Sequence, residues 1–178
     1  MWFKRGLATH SGGVLLIQIG PYLESNDSSN REAVVAKKYW SDLFGNFKRH
    51  SDTIENTLLN YGYAILRAII SRSLVAHGFI CSLGIKHCNE LNVFNLSDDL
   101  MEPWRPFVDY QCKKYLKDTN EICDKDARLA ILRSFTESIY YNGQHVEWIH
   151  AMNLYMESFL NVLQLNDVEH INLPQLEI

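Results

Sequence analysis

Between residue 28 and the C-terminus, apolar side chains recur every three to four positions with few breaks, and this period most constrains the fold. Only 4 prolines and 9 glycines punctuate 178 residues. Such a pattern predicts an all-α domain. One helix opens at Ser28-Ser29-Asn30-Arg31-Glu32, with Ser29 and Glu32 in capping-box spacing, and runs to about Phe44, where Gly45 stops it. It carries Val34, Val35, Trp40 and Leu43 inward. A second helix, capped by Ser51 or Asp52 and ended by Gly78, passes through Leu58, Leu59, Ala64, Ile65, Ala68 and Ile69. It is the longest and is expected at the centre. After the turn at Ser82-Leu83-Gly84, the reading places a helical segment near His87 to Phe94 and another capped around Ser97 or Asp98. Helices at roughly Lys125 to Tyr141 and Gln144 to Leu163 then lead into an extended tail ending in Pro174. Residues 1–27, with Gly12-Gly13 and Gly20-Pro21, depart from this pattern and form an atypical N-terminal segment ahead of the helical domain at 28–178.

The 47% hydrophobic and 21% charged composition is that of a globular domain with a real core. The apolar run Val14 to Ile19 is too short to span a bilayer, so a soluble, cytoplasmic protein without a membrane partner is expected. Cys81, Cys88, Cys112 and Cys123 show no C-x-x-C pairing, which points to free thiols. A net charge of −4 excludes a chain that is basic all over; any contact with nucleic acid must use a local patch.

Three residues put ligand chemistry where packing would not ask for it. Glu32 lies in the first turn of its helix, His87 follows the Gly84 turn, and Glu102 interrupts the apolar run Leu100-Met101-Glu102-Pro103-Trp104. Two carboxylates and an imidazole suit Mg²⁺ or Mn²⁺. Each also has a plainer role: Glu32 as the capping-box glutamate, His87 as a hydrogen-bonded structural histidine, Glu102 as a partner of Arg105 one turn on. Spacings of 55 residues (32 to 87) and 15 residues (87 to 102) make no short metal motif. Asn56, Asn60, Tyr63 and Arg67 form a polar stripe along the long helix, either a solvated face or one turned to a site.

The stretches Asn30-Arg31-Glu32-Ala33, Ala36-Lys37, Tyr39-Trp40 and Leu43-Phe44-Gly45 resemble a segment of the type II CRISPR-associated spacer integrases, the Cas1 family. Leu59-Asn60-Tyr61-Gly62-Tyr63-Ala64-Ile65-Leu66-Arg67 is similar to that family's long helix. So are Leu83-Gly84-Ile85-Lys86-His87, Asn92-Val93-Phe94-Asn95-Leu96 and Asp98-Asp99-Leu100-Met101-Glu102-Pro103-Trp104-Arg105-Pro106 to its most diagnostic stretch. Lys86, Ser97 and Trp104 stand where many members carry histidine, alanine and phenylalanine; none of these departures removes a proposed ligand. The resemblance implies the helical catalytic domain of such an integrase without its N-terminal β-rich domain. It implies a metal-dependent DNA endonuclease or integrase of CRISPR adaptation, with Glu32, His87 and Glu102 catalytic and holding one Mg²⁺ or Mn²⁺. It further implies DNA partners (spacer precursor and CRISPR repeat), a homodimer, the second universal adaptation protein and type II effector machinery. Arg67, Lys86, Arg105, Lys37 and Lys38, together with Arg72, are the candidates for phosphate contacts. A non-catalytic remnant and a general metal-dependent nuclease on branched DNA are the rival readings.

Overall fold

The computed structural model describes residues 31–174 apart from 46, 50 and 119–123, with side chains from residue 36 onward. Residues 1–27, the Ser29–Glu32 capping box, Val34, Val35 and Cys123 therefore lie outside what it describes. Helix α1 spans Arg31–Phe44, α2 Ile54–Ala76, α3 Asn95–Met101, α4 Arg105–Asp118 and α5 Asp124–Ser134; strands β1 (Ser138–Tyr141) and β2 (Gln144–Glu147) precede α6, Trp148–Leu165. Short 3-10 turns lie at Glu102–Trp104 and Val168–His170. The all-α expectation holds, with one two-stranded hairpin added. No helix among the described residues is long and apolar enough to cross a membrane.

Helix α2, 23 residues long, is the axis on which α3, α4, α5 and α6 pack. A row at four-residue steps, Leu58, Gly62, Leu66, Ile70 and Leu74, is buried along it. Gly62 belongs to this row because a Cβ there would run into Val108 Cγ1 on α4 and come within 3.3 Å of Ile131 Cγ2 on α5. The absence of a side chain lets three helices meet at one level. Ala64 and Ala68 lie exposed on the far side. At the start of α2 the cap is Thr53, in extended conformation (φ −132°, ψ 158°), not Ser51 or Asp52. Ser51 is instead engaged in the preceding turn, donating to the Lys48 carbonyl at 2.7 Å and accepting from Asn56. Gly45 (φ 69°) and Gly78 (φ 82°) adopt the left-handed conformation that ends α1 and follows α2, as expected.

Three other expectations need correction. Residues 87–94 form a loop, not a helix: the Asn89 and Asn92 side chains accept from the backbone N–H groups of Leu91 and Phe94, both at 3.0 Å. Such local bonds compete with a helical ladder. Helix α3 begins at Asn95, so Ser97 and Asp98 are buried interior residues and not caps; Ser97 Oγ accepts from Ser71 at 2.8 Å. The expected helix to Tyr141 ends at Ser134. Ser-Ile-Tyr-Tyr then pairs antiparallel with Gln-His-Val-Glu, Ser138 opposite Glu147 and Tyr141 opposite Gln144. Asn142 (φ 51°) and Gly143 (φ 83°) supply the two positive φ values that a two-residue hairpin turn requires.

The largest core cluster is aromatic. Trp104 packs on Tyr141, Trp148 and Tyr155 with ring centroids 5.3–5.5 Å apart, and Phe107 and Phe135 close on Trp148 at 4.6 and 4.9 Å. Three of these rings reach backbone carbonyls with their polar ends, Trp148 Nε1 that of Ser134, Tyr155 Oη that of Leu100 and Tyr141 Oη that of Asn172, whereas the buried Trp104 Nε1 finds no partner among the described residues. Among the described cysteines, Cys81, Cys88 and Cys112 are free thiols, as expected.

Candidate metal centre

His87 lies on a loop that Asp99 ties to α3. The Asp99 carboxylate, 6% exposed, accepts from the backbone N–H of Ile85 (2.5 Å), Lys86 (2.9 Å) and His87 (3.2 Å), and its Oδ1 meets His87 Nδ1 at 2.7 Å. Gly84 allows this wrapping: a Cβ there would collide with the His87 carbonyl and stand 2.8 Å from Asn95 Cβ. A carboxylate accepting at Nδ1 fixes the proton on that nitrogen and leaves the Nε2 lone pair to serve as a metal ligand. The histidine is thus both a structural partner and a ligand candidate.

Glu102 follows Asp99 by one turn and ends the same short helix. Burial raises its pKa, opposed chiefly by the positive charge of Arg105; Asp98 adds to the rise. What links the two candidates in the structure is Asp99, which binds the His87 loop and lies three residues before Glu102. Arg105 pairs with Glu102 at 3.2 Å, the plain i,i+3 contact the sequence allowed, and stacks over the Tyr63 ring at 5.1 Å. The third candidate, Glu32, lies in the first turn of α1, but its side chain lies outside the described residues. Among the described residues no three His, Cys, Asp or Glu side chains form a metal cage by themselves. The donor set present fits a hard divalent ion: a half-buried carboxylate and an imidazole with a fixed tautomer.

Each residue of the polar stripe on α2 has a side-chain partner, although Asn60 is exposed. Asn56 and Asn60 accept from the Arg49 guanidinium, each at 2.7 Å, Tyr63 donates to Asp109, and Arg67 Nε reaches Asp98 Oδ1 at 2.7 Å. Arg67 also lies over Phe94, and Asp98 takes a second bond from Asn92. Of the other basic candidates, Lys37 and Arg72 are exposed, Lys38 pairs with Asp42 at 3.3 Å, and Lys86 sits on the loop that carries His87.

Beneath the site lies a carboxylate that the sequence reading passed over. Asp109 on α4, 2% exposed, accepts from Tyr39 Oη on α1 at 2.6 Å and from Tyr63 Oη on α2. Burial pushes its pKa up to about 6 against the pull of both phenols and of Arg105 and Arg49. Burial and the carboxylate in turn push both tyrosines upward, so they remain neutral donors. Asp99, Asp109 and Arg49 were also missed. The sequence signal for Asp99 was a carboxylate one helical turn before Glu102 within the diagnostic stretch; Arg49 had none.

Residues 32–145, more than half of the chain, match the family model of CRISPR associated protein Cas1. Over 88 residues the chain is 47% identical to the CRISPR-associated endonuclease Cas1 of Neisseria meningitidis serogroup C (strain 8013), a stretch covering 49% of this chain and 29% of that protein. It is 29% identical over 149 residues to a CRISPR-associated endonuclease Cas1 of Francisella tularensis subsp. novicida, covering 71% of this chain and 45% of the relative. The chain spans less than half the length of these curated relatives. A solved casposase bound to integration product shares the fold with a TM-score of 0.68 at 18% identity, covering 88% of this chain and 52% of that one. With the family model spanning the long helix, the His87 loop and the Glu102 turn together, the chain belongs to the Cas1 family of CRISPR-associated proteins.

Proposed function

We propose that this chain is the catalytic domain of a type II spacer integrase acting in CRISPR adaptation, with Glu32, His87 and Glu102 holding one Mg²⁺ or Mn²⁺. The observation that carries the reading is the Asp99–His87 pair beside Glu102, because a carboxylate on Nδ1 is what a metal-binding histidine needs behind it. In the proposed reaction the 3′-hydroxyl of a spacer precursor attacks a phosphodiester at the repeat boundary. A new P–O bond forms, the repeat strand leaves with its own 3′-oxygen, and the proton of the attacking hydroxyl ends on that leaving oxygen or on solvent, so no ATP enters. A bound divalent ion supplies Lewis-acid neutralisation at the phosphate and lowers the pKa of the attacking hydroxyl.

The chain's own residues do the rest. Asp99 keeps His87 aimed and in one tautomer; Arg105 pairs with Glu102 and offsets its charge. Arg67, Lys86, Lys37 and Lys38 meet backbone phosphates, which positions a strand without reading its sequence. Spacer precursor and repeat DNA, a second copy of the chain and the second universal adaptation protein are the partners this role requires, in the cytoplasm.

Both curated relatives are named endonucleases, which favours a second reading, DNA hydrolysis, in which water replaces the 3′-hydroxyl at the same centre. Mn²⁺ titration and half-site integration with labelled spacer and repeat, in the presence of the partner protein, test both. His87→Ala is expected to lose Mn²⁺ affinity and joining while unfolding within about 0.5 kcal/mol of the parent, since Asp99 keeps its three backbone donors. Undiminished joining by His87→Ala ends the proposal. Cleaved strands without joined product select hydrolysis.

A further inference from the structure

Asp109 is an expensive way to fill a core. A buried carboxylate answered by phenols and not by a cation is usually less stabilising than an apolar side chain of equal size, so its position needs another reason. Its two hydrogen bonds join segments 70 and 46 residues away in sequence. Through Tyr39 it grips α1, whose principal packing partner is α4, the helix that carries Asp109 itself. Position 32 precedes Tyr39 by seven residues, two helical turns, so the two positions share one face of α1. Through Tyr63 it holds the ring on which the Arg105 guanidinium rests, and Arg105 pairs with Glu102. Arg49 backs the same ring at 5.5 Å, itself fixed by Asn56 and Asn60.

We infer that Asp109, through Tyr39 and Tyr63, is a positioning residue that sets the separation between the Glu32-bearing helix and Glu102, and with it the geometry of the metal centre. This rests on the reading of Glu32, His87 and Glu102 as ligands. Asp109 is buried and is not itself a ligand in this reading. It acts by registering three helices against one another, and a phenol–carboxylate bond is directional enough to fix that register where apolar packing would let α1 slide.

The test compares Mn²⁺ affinity, by calorimetry and by electron paramagnetic resonance of free Mn²⁺, in the parent protein, Tyr39→Phe, Tyr63→Phe, His87→Ala and Val162→Ala. The last removes buried volume on α6, away from the tether, and controls for lost stability. Tyr39→Phe is expected to weaken Mn²⁺ binding about tenfold, in the range of lost support behind a metal ligand, and Val162→Ala to leave it unchanged at a similar drop in melting temperature. In the metal-free protein, amide exchange along α1 should quicken in Tyr39→Phe and not in Val162→Ala. Equal Mn²⁺ affinity in Tyr39→Phe and the parent, with His87→Ala still defective, overturns the tether and leaves the ligands standing. Equal affinity in His87→Ala and the parent overturns the ligand reading, and the tether with it.

Discussion

The loop from Phe79 to Phe94 and the aromatic core under the hairpin are held by different forces. In the core, Trp104, Phe107, Phe135, Tyr141, Trp148 and Tyr155 sit ring against ring, and each large side chain taken out of water contributes on the order of 1.5–3 kcal/mol. In the loop, Ile80, Leu83, Ile85, Leu91 and Val93 are each more than half exposed, and the chain is shaped by Asp99, Asn89 and Asn92 accepting from its backbone. Area fixes the core; direction fixes the loop. The candidate ligand His87 is placed by the second mechanism. A few hydrogen bonds can aim a side chain closely without the burial that holds the core.

The largest expected effect follows from the core. Trp148→Ala removes a ring touching Trp104, Phe107 and Phe135 and should cost about 3–5 kcal/mol in urea unfolding. A loss under about 1 kcal/mol would mean that the core does not depend on area and would break the comparison.

Asp109 is the intermediate case, buried like the core and directional like the loop. Its pKa of about 6 in the folded chain lies above the usual 3.8, so the folded state holds its proton more tightly than the unfolded state does. That contribution is fully present below about pH 4 and is lost as pH rises through 6. Asp109→Asn keeps the shape and removes the titration. Lowering the pH from 8 to 5 should therefore stabilise the parent relative to Asp109→Asn by roughly 1–2 kcal/mol in paired urea titrations. Parallel pH curves for the two proteins would show that Asp109 stays ionised throughout.

These contrasts also explain what could be read from the sequence. The helical period gave α1, α2 and α6 within a few residues, because a buried face repeats along the chain. It failed at 87–94, where asparagine side chains replace the helical ladder, and at 138–147, where Asn142-Gly143 turns two short strands that a helical period had absorbed. At the candidate centre, motif position singled out Glu32, His87 and Glu102; in the fold, Asp99 ties the His87 loop to the helix that precedes Glu102. Asp99 and Asp109 escaped notice because their importance lies in what they accept from: three consecutive backbone N–H groups, and two phenols from distant helices. No spacing in one dimension records that. The long-helix stripe was ambiguous for the same reason, since Arg49, the partner that engages Asn56 and Asn60, lies on a different segment.

The smallest expected effect is at Leu91, and it sharpens the comparison most. Leu91 is 92% exposed, so little apolar area is at stake, and its backbone N–H is held by Asn89 Oδ1 at 3.0 Å, a bond that no side chain at 91 contributes to. If direction alone shapes this loop, Leu91→Ser should shift unfolding by less than about 0.5 kcal/mol, the ordinary range for surface substitutions. Asn89→Ala, which removes the acceptor and keeps Leu91, should by contrast quicken amide exchange at Leu91. A drop above about 1 kcal/mol in Leu91→Ser would mean that the leucine packs against something in solution, and the loop would then belong with the core.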